Sequence, residues 1–194
     1  MRRVCVFCGS AEGARGEYAS AARALAAELA RRRLGLVYGG GGTGMMGVLA
    51  DAMLAAGGEV IGVIPGPLAS RELAHTRLTE MRVVASMHER KATMSALADG
   101  FVTLPGGLGT LEETLEMLTW AQLGIHAKPV GVLDVAGYFG GLRALLRHAV
   151  AEGFVRPEYA ALLLFDDVPA RLLDRFDAWP PHGLARAWLD PTQT

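Results

Sequence analysis

Phe101-Val102-Thr103-Leu104-Pro105-Gly106-Gly107-Leu108-Gly109-Thr110-Leu111-Glu112-Glu113 is the stretch that decides the fold. A short apolar run meets a glycine-rich turn, and helical spacing follows as far as Leu123. The spacing predicts a strand over Phe101 to Leu104 and a helix over Thr110 to Leu123.

The same alternation runs through the rest of the chain. Upstream it predicts strands at Val4 to Cys8, Leu36 to Tyr38, Val60 to Ile64 and Met81 to Val84. The helices between them are predicted over Glu17 to Arg33, Thr43 to Ala56 and Met87 to Ala98. Downstream it predicts a strand over Pro129 to Leu133, a helix over Tyr138 to Glu152, a strand over Leu162 to Phe165 and a helix over Val168 to Trp179. Near-continuous apolar strands that alternate with helices indicate an α/β fold, a doubly wound parallel sheet covered on both faces. No internal repeat or linker interrupts residues 1–179, which read as a single domain. Residues 180–194, with Pro180-Pro181 and a polar end, read as a mobile tail or an interface arm.

Composition narrows the function classes. The chain has 194 residues, 51% of them hydrophobic and 20% charged, which excludes a disordered chain. Its net charge of −1 offers no global field toward nucleic acid or an anionic membrane. No apolar stretch is long enough to span a bilayer or to serve as a secretory signal, so the expectation is a cytoplasmic protein. Two cysteines, Cys5 and Cys8, are too few for a disulfide scaffold, and no further ligands are spaced for zinc. On a strand they fall on opposite faces, which reads as structural burial. Glycine is in excess, at 25 residues.

Position gives that excess a meaning. Gly39-Gly40-Gly41-Gly42-Thr43-Gly44-Met45-Met46-Gly47 and Pro105 to Glu113 each join a strand to a helix. In an open α/β sheet, ligands sit outside the carboxyl ends of the strands. Glycine there lets a ligand approach the backbone, and the N–H groups and dipole of the next helix favour an anion such as phosphate. The first loop matches G-x-G-x-x-G through Gly39, Gly41 and Gly44, yet the next strand ends Ile64-Pro65-Gly66 without the acid a dinucleotide ribose requires. This weakens an NAD-dependent oxidoreductase. No Gly-Lys-Ser/Thr follows, so the loop is no Walker A either. The two loops together suggest a nucleoside monophosphate or sugar phosphate, with Gly41, Gly42, Thr43 and Gly44 on one side and Gly106, Gly107 and Gly109 on the other.

Charged residues surround the predicted edge. Thr110, Glu113 and Glu116 are spaced three apart and share a helix face that begins at the second loop. A carboxylate there suits attack of water on an anomeric carbon, by steering the water or stabilising an oxocarbenium-like transition state. Glu112 reads equally as a dipole partner of the first turn. Arg90 and Lys91, in Met87-His88-Glu89-Arg90-Lys91, lie near a helix N-terminus that should point to the same edge, although a solvated face explains them as well. Arg suits phosphate or a departing base. Ser10 is either a further hydroxyl at this edge or an N-cap.

Pro105 to Glu113 matches PGGxGTxxE, the motif of the Lonely Guy family of cytokinin riboside 5′-monophosphate phosphoribohydrolases. The chain resembles that family also at Val6 to Ser10, Gly39 to Gly47, Gly62-Val63-Ile64-Pro65, Met87 to Lys91 and Thr119 to His126. The resemblance implies a Rossmann-like fold, a homodimer, and hydrolysis of an N6-modified AMP to free base and ribose 5-phosphate without metal or cofactor. It implies Arg90 and Glu113 as catalytic residues. Lys91, the run Gly107, Leu108, Gly109, Thr110, Leu111 and Glu112, and Thr119 match its substrate-binding positions, with Glu72 in a weaker stretch. Carriers of the molybdenum cofactor resemble the same fold, which keeps a non-catalytic nucleotide or cofactor carrier as the alternative. Such sequences also resemble proteins labelled lysine decarboxylases, but this chain has only Lys91 and Lys128 to serve as a Schiff-base lysine.

Overall fold

A computed structural model describes residues 1–69 and 74–180. Seven strands form one sheet: β1 (Arg3–Phe7), β2 (Gly35–Tyr38), β3 (Val60–Pro65), β4 (Glu80–Val84), β5 (Gly100–Thr103), β6 (Val130–Leu133) and β7 (Leu163–Asp166). Every pairing is parallel, in the order β4-β3-β2-β1-β5-β6-β7. The chain winds outward from β1 to β4, then crosses back to lay β5 beside β1, with Val6 opposite Val102 and Phe7 opposite Thr103. That reversal opens a crevice at the carboxyl ends of β1 and β5.

Among the described residues eight α-helices accompany the sheet: α1 (Gly16–Arg31), α2 (Gly44–Ala55), α3 (Gly66–Leu68), α4 (Met87–Leu97), α5 (Leu108–Leu123), α6 (Gly140–Ala151), α7 (Pro157–Ala160) and α8 (Pro169–Asp177). The doubly wound fold expected from the sequence is the one observed, and the pleat shows why. Val4, Val6 and Cys8 enter a core with residues of α1, α2 and α8, whereas Cys5 and Phe7 enter a second core with residues of α4 and α5. The two cysteines thus lie on opposite faces, both buried and unpaired, and burial pushes both thiols up. Helix α1 buries Ala22, Leu25, Ala26 and Leu29, the i, i+3, i+4, i+7 stripe of an amphipathic helix.

The differences from the sequence reading are local. Helix α5 begins at Leu108 rather than Thr110, because Gly107 already serves as N-cap. Helix α6 begins at Gly140 rather than Tyr138, because a 3₁₀ turn at Val135–Gly137 with a positive φ at Ala136 occupies the connection. The short helices α3 and α7 start at proline-containing turns too brief for any periodicity to reveal. The tail beyond Pro180 lies outside the described residues.

Candidate active site

The second glycine loop builds an open helix N-terminus. Gly107 caps α5 without a side-chain hydrogen bond, and the first helical bond runs from the Leu111 N–H to the Gly107 carbonyl at 3.1 Å. The N–H groups of Leu108, Gly109 and Thr110 therefore have no acceptor among the described residues. A hydroxyl relay pins this turn to β5. Thr114 Oγ1 donates to the Thr110 carbonyl at 2.6 Å, so in its 2.8 Å contact with Thr103 the proton comes from Thr103. The Gly9 N–H donates to the Pro105 carbonyl at 3.1 Å and ties the β1 loop to the β5 loop.

Helix α4 delivers the basic side chains. Ser86 caps it by accepting from the Glu89 N–H at 3.1 Å, and Glu89 Oε2 accepts from the Ala85 N–H at 2.7 Å, a reciprocal cap that fixes the first turn. One residue on, Arg90 is held at two points: Nε donates to the Val63 carbonyl at 3.0 Å and Nη1 donates to Glu113 Oε1 at 2.8 Å. Both side chains of this pair are nearly buried, at 11% and 9% exposure. Gly39 makes room for the guanidinium, since a Cβ there would lie 2.1 Å from Arg90 Nη2. Burial raises the Glu113 pKa above the ordinary carboxylate range; Arg90 opposes the rise, and the neighbouring Glu112 adds to it.

Lys91, buried beside this pair, is bonded by Glu112 Oε1 at 2.5 Å and Glu116 Oε1 at 2.9 Å. Burial works against its charge, yet the two carboxylates hold its pKa above the usual value. The solvated-face reading of Arg90 and Lys91 does not hold, because both pair across to α5.

These groups surround a cleft of about 220 Å³ at the β1–β5 crevice, lined among others by Cys8, Ser10, Gly39, Met46, Arg90, Gly107, Leu108, Gly109, Thr110 and Glu113. Ser10 thus reaches the edge as a free hydroxyl, and its alternative use as an N-cap is excluded, because α1 is capped by Arg15.

The first glycine loop behaves differently. Two of the three first-turn amides of α2 are already taken: the Met45 N–H donates to Ala11 O at 3.4 Å and the Met46 N–H to Gly9 O at 3.3 Å. Gly44, at φ +60°, presses so closely on the β1 loop that a Cβ would lie 2.1 Å from Ser10 O. Gly42, Thr43 and Gly44 line a separate hollow with Glu12, Arg23 and Asp51, and only Gly39 and Met46 of this loop reach the cleft. Much of this loop's glycine thus serves close packing of backbone on backbone.

Among the other sequence candidates, Gly106 sits under Thr110, and its carbonyl accepts from the Tyr138 hydroxyl at 2.6 Å. Leu111 does not line the cleft. Thr119 lies on the exposed side of α5, with Oγ1 donating to Leu115 O at 2.7 Å. Glu72 falls outside the described residues. Tyr138, Met46 and the Val63 carbonyl are contributors that the sequence reading missed. Tyr138 follows a strand end at the same edge as the glycine loops, and that position is the one signal that could have flagged it.

The fold and the site together define a Rossmann-like α/β protein, with an open helix N-terminus and a buried Arg–Glu pair at its topological switch point. The family described as "Possible lysine decarboxylase" matches residues 46–176. A probable cytokinin riboside 5′-monophosphate phosphoribohydrolase from Oryza sativa subsp. japonica is 50% identical over 93% of this chain and 80% of its own. A cytokinin riboside 5′-monophosphate phosphoribohydrolase from Arabidopsis thaliana is 47% identical over 93% of this chain and 84% of its own. The chain belongs to this Lonely Guy family of phosphoribohydrolases. Among solved structures, the molybdenum cofactor binding protein of Rippkaea orientalis superposes with a TM-score of 0.68 at 19% identity, covering 92% of this chain and 97% of that one. The molybdenum cofactor carrier protein of Chlamydomonas reinhardtii gives 0.66 at 18% identity, covering 92% and 98%. At that identity the likeness is one of fold.

Proposed function

We propose that this protein hydrolyses the N-glycosidic bond of an N6-modified adenosine 5′-monophosphate, releasing free base and ribose 5-phosphate. The observation that carries the reading is the buried Arg90–Glu113 pair beside the open N-terminus of α5. The phosphate sits on the N–H groups of Leu108, Gly109 and Thr110, where three donors and the helix dipole favour an anion. The ribose then lies against Glu113. As the bond from C1′ to the base nitrogen breaks, its electron pair leaves with the base and positive charge develops on the sugar ring. The Glu113 carboxylate stabilises that charge and orients the incoming water. Arg90, fixed by Val63 and Glu113, donates toward the departing base. Water supplies hydroxyl to C1′ and its proton ends on the base, so the reaction needs no redox partner.

The family's decarboxylase description draws no support from the lysines: Lys91 is held by two carboxylates, and Lys128 donates to the Ser95 carbonyl at 2.7 Å. The carrier alternative shares the fold, but relatives at half identity named as phosphoribohydrolases favour the enzyme. We further infer a homodimer, supported by an exposed stripe on α5 that carries Leu108 and Leu115 with Thr119 on the same side. No helix among the described residues is long and apolar enough to cross a membrane.

The test is incubation with AMP and N6-isopentenyl-AMP, with free base followed by chromatography. Base release from the prenylated nucleotide is expected. Binding without release from either would favour the carrier.

A further inference from the structure

We propose that Tyr138 is a positioning residue that latches the Gly106–Gly107 peptide, turning the Gly107 N–H toward the phosphate-binding turn. The proposal rests on the phosphate reading above and adds to it a residue outside the family motif. In a trans peptide the carbonyl and the following N–H point in opposite directions. The Tyr138 hydroxyl binds the Gly106 carbonyl at 2.6 Å, so the Gly107 N–H on the far side of that peptide faces away from Tyr138. Gly107 lines the cleft beside Leu108, Gly109 and Thr110, whose N–H groups are open. The latch thus adds a fourth donor to the three at the start of α5.

Without it, the peptide is flanked by glycine on both sides, the residue least opposed to its reversal. Gly107 stands at φ −88°, and a half-turn of the peptide carries it to positive φ, which glycine tolerates. The reversed peptide would present a carbonyl oxygen where the anion needs a donor. Tyr138 itself is well braced: its ring meets Tyr18 edge-on at 5.7 Å and Phe139 at 4.9 Å, and Asp134 Oδ1 accepts the Phe139 N–H at 2.7 Å.

The test compares Tyr138→Phe, which keeps the ring and removes the hydroxyl, with Tyr18→Phe, which removes a hydroxyl that bonds no described residue. Steady-state kinetics on N6-isopentenyl-AMP and calorimetric titration with ribose 5-phosphate are the readouts. For Tyr138→Phe we expect a KM higher by about 5- to 10-fold, a ribose 5-phosphate affinity weaker by the same factor and a kcat within about two-fold, the size of one lost hydrogen bond. Tyr18→Phe should match the wild type. An unchanged KM and affinity in Tyr138→Phe, equal losses in both variants, or a loss confined to kcat would each overturn the latch. Base release and sugar-phosphate binding separate the two ideas. Wild type that binds ribose 5-phosphate yet releases no base refutes the hydrolase reading, while the affinity comparison still tests the latch. Wild type that binds no ribose 5-phosphate refutes the latch itself.

Discussion

Replacing Glu113 by Gln removes one charge while keeping a carbonyl oxygen for Arg90 to bond, so it separates catalysis from architecture. A carboxylate about 4 Å from a developing unit charge, at an effective dielectric of about 20, contributes about 4 kcal/mol. Arg90, bonded to Oε1, cancels part of this field. The drop in kcat should then lie between about 10²- and 10³-fold, from the usual relation of about 1.4 kcal/mol per decade. Affinity for the nucleotide should stay within a few-fold, because the phosphate donors on α5 are untouched. The fold should not suffer. A carboxyl whose folded pKa is raised stabilises the protein below the unfolded pKa and loses that contribution as pH rises through the folded value. Gln resembles the protonated form that the buried site favours, so the variant should melt no lower than the wild type. The same shift moves the acid limb of the wild-type pH–kcat/KM profile upward from the usual carboxylate position, because turnover needs the ionised group. The assay is base release by chromatography, with melting followed by scanning calorimetry. A Gln variant that retains more than about one tenth of wild-type kcat would refute the electrostatic role, since one decade is only about 1.4 kcal/mol.

Arg90→Lys cannot hold both the Val63 carbonyl and Glu113 in one planar fork, so kcat should fall by about 10-fold or more with a lower melting temperature, measured by the same pair of assays. Gly44→Ala imposes positive φ on alanine and drives Cβ into Ser10 O, which should cost about 2 kcal/mol or more in denaturant unfolding. Leu115→Glu places charge on the exposed stripe of α5 and should shift sedimentation velocity from dimer to monomer. An unchanged dimer would remove that face from the interface.

The fold was legible because the strands other than β4 are nearly continuous apolar runs, each followed by a helix-length stretch, and because α1 and α8 carry a clear amphipathic period. Val4, Val6 and Cys8 against Cys5 and Phe7 is an alternation readable directly, and it sorts residues between two cores. Glu113 and Arg90 were legible as candidates because each stands next to a strand-end turn. Their pairing was not, since they lie 23 positions apart on different helices. The glycine loops show the limit most clearly. By sequence they look equivalent, two glycine-rich turns opening two helices. Only the tertiary structure distinguishes them: the carbonyls of Gly9 and Ala11 fold onto the Met46 and Met45 amides of α2, while nothing among the described residues reaches the Leu108, Gly109 and Thr110 amides of α5. Tyr138 was invisible for the same reason, because its hydroxyl meets Gly106 across two strand ends 32 residues apart. The sequence by itself determined the strand and helix pattern and the chemical types available at one edge of the sheet, because periodicity and glycine placement are local properties. Which of two similar helix N-termini stays open, and which cation meets which carboxylate, were decided by the tertiary structure, because hydrogen-bond partners are assigned only when distant segments compete for the same groups.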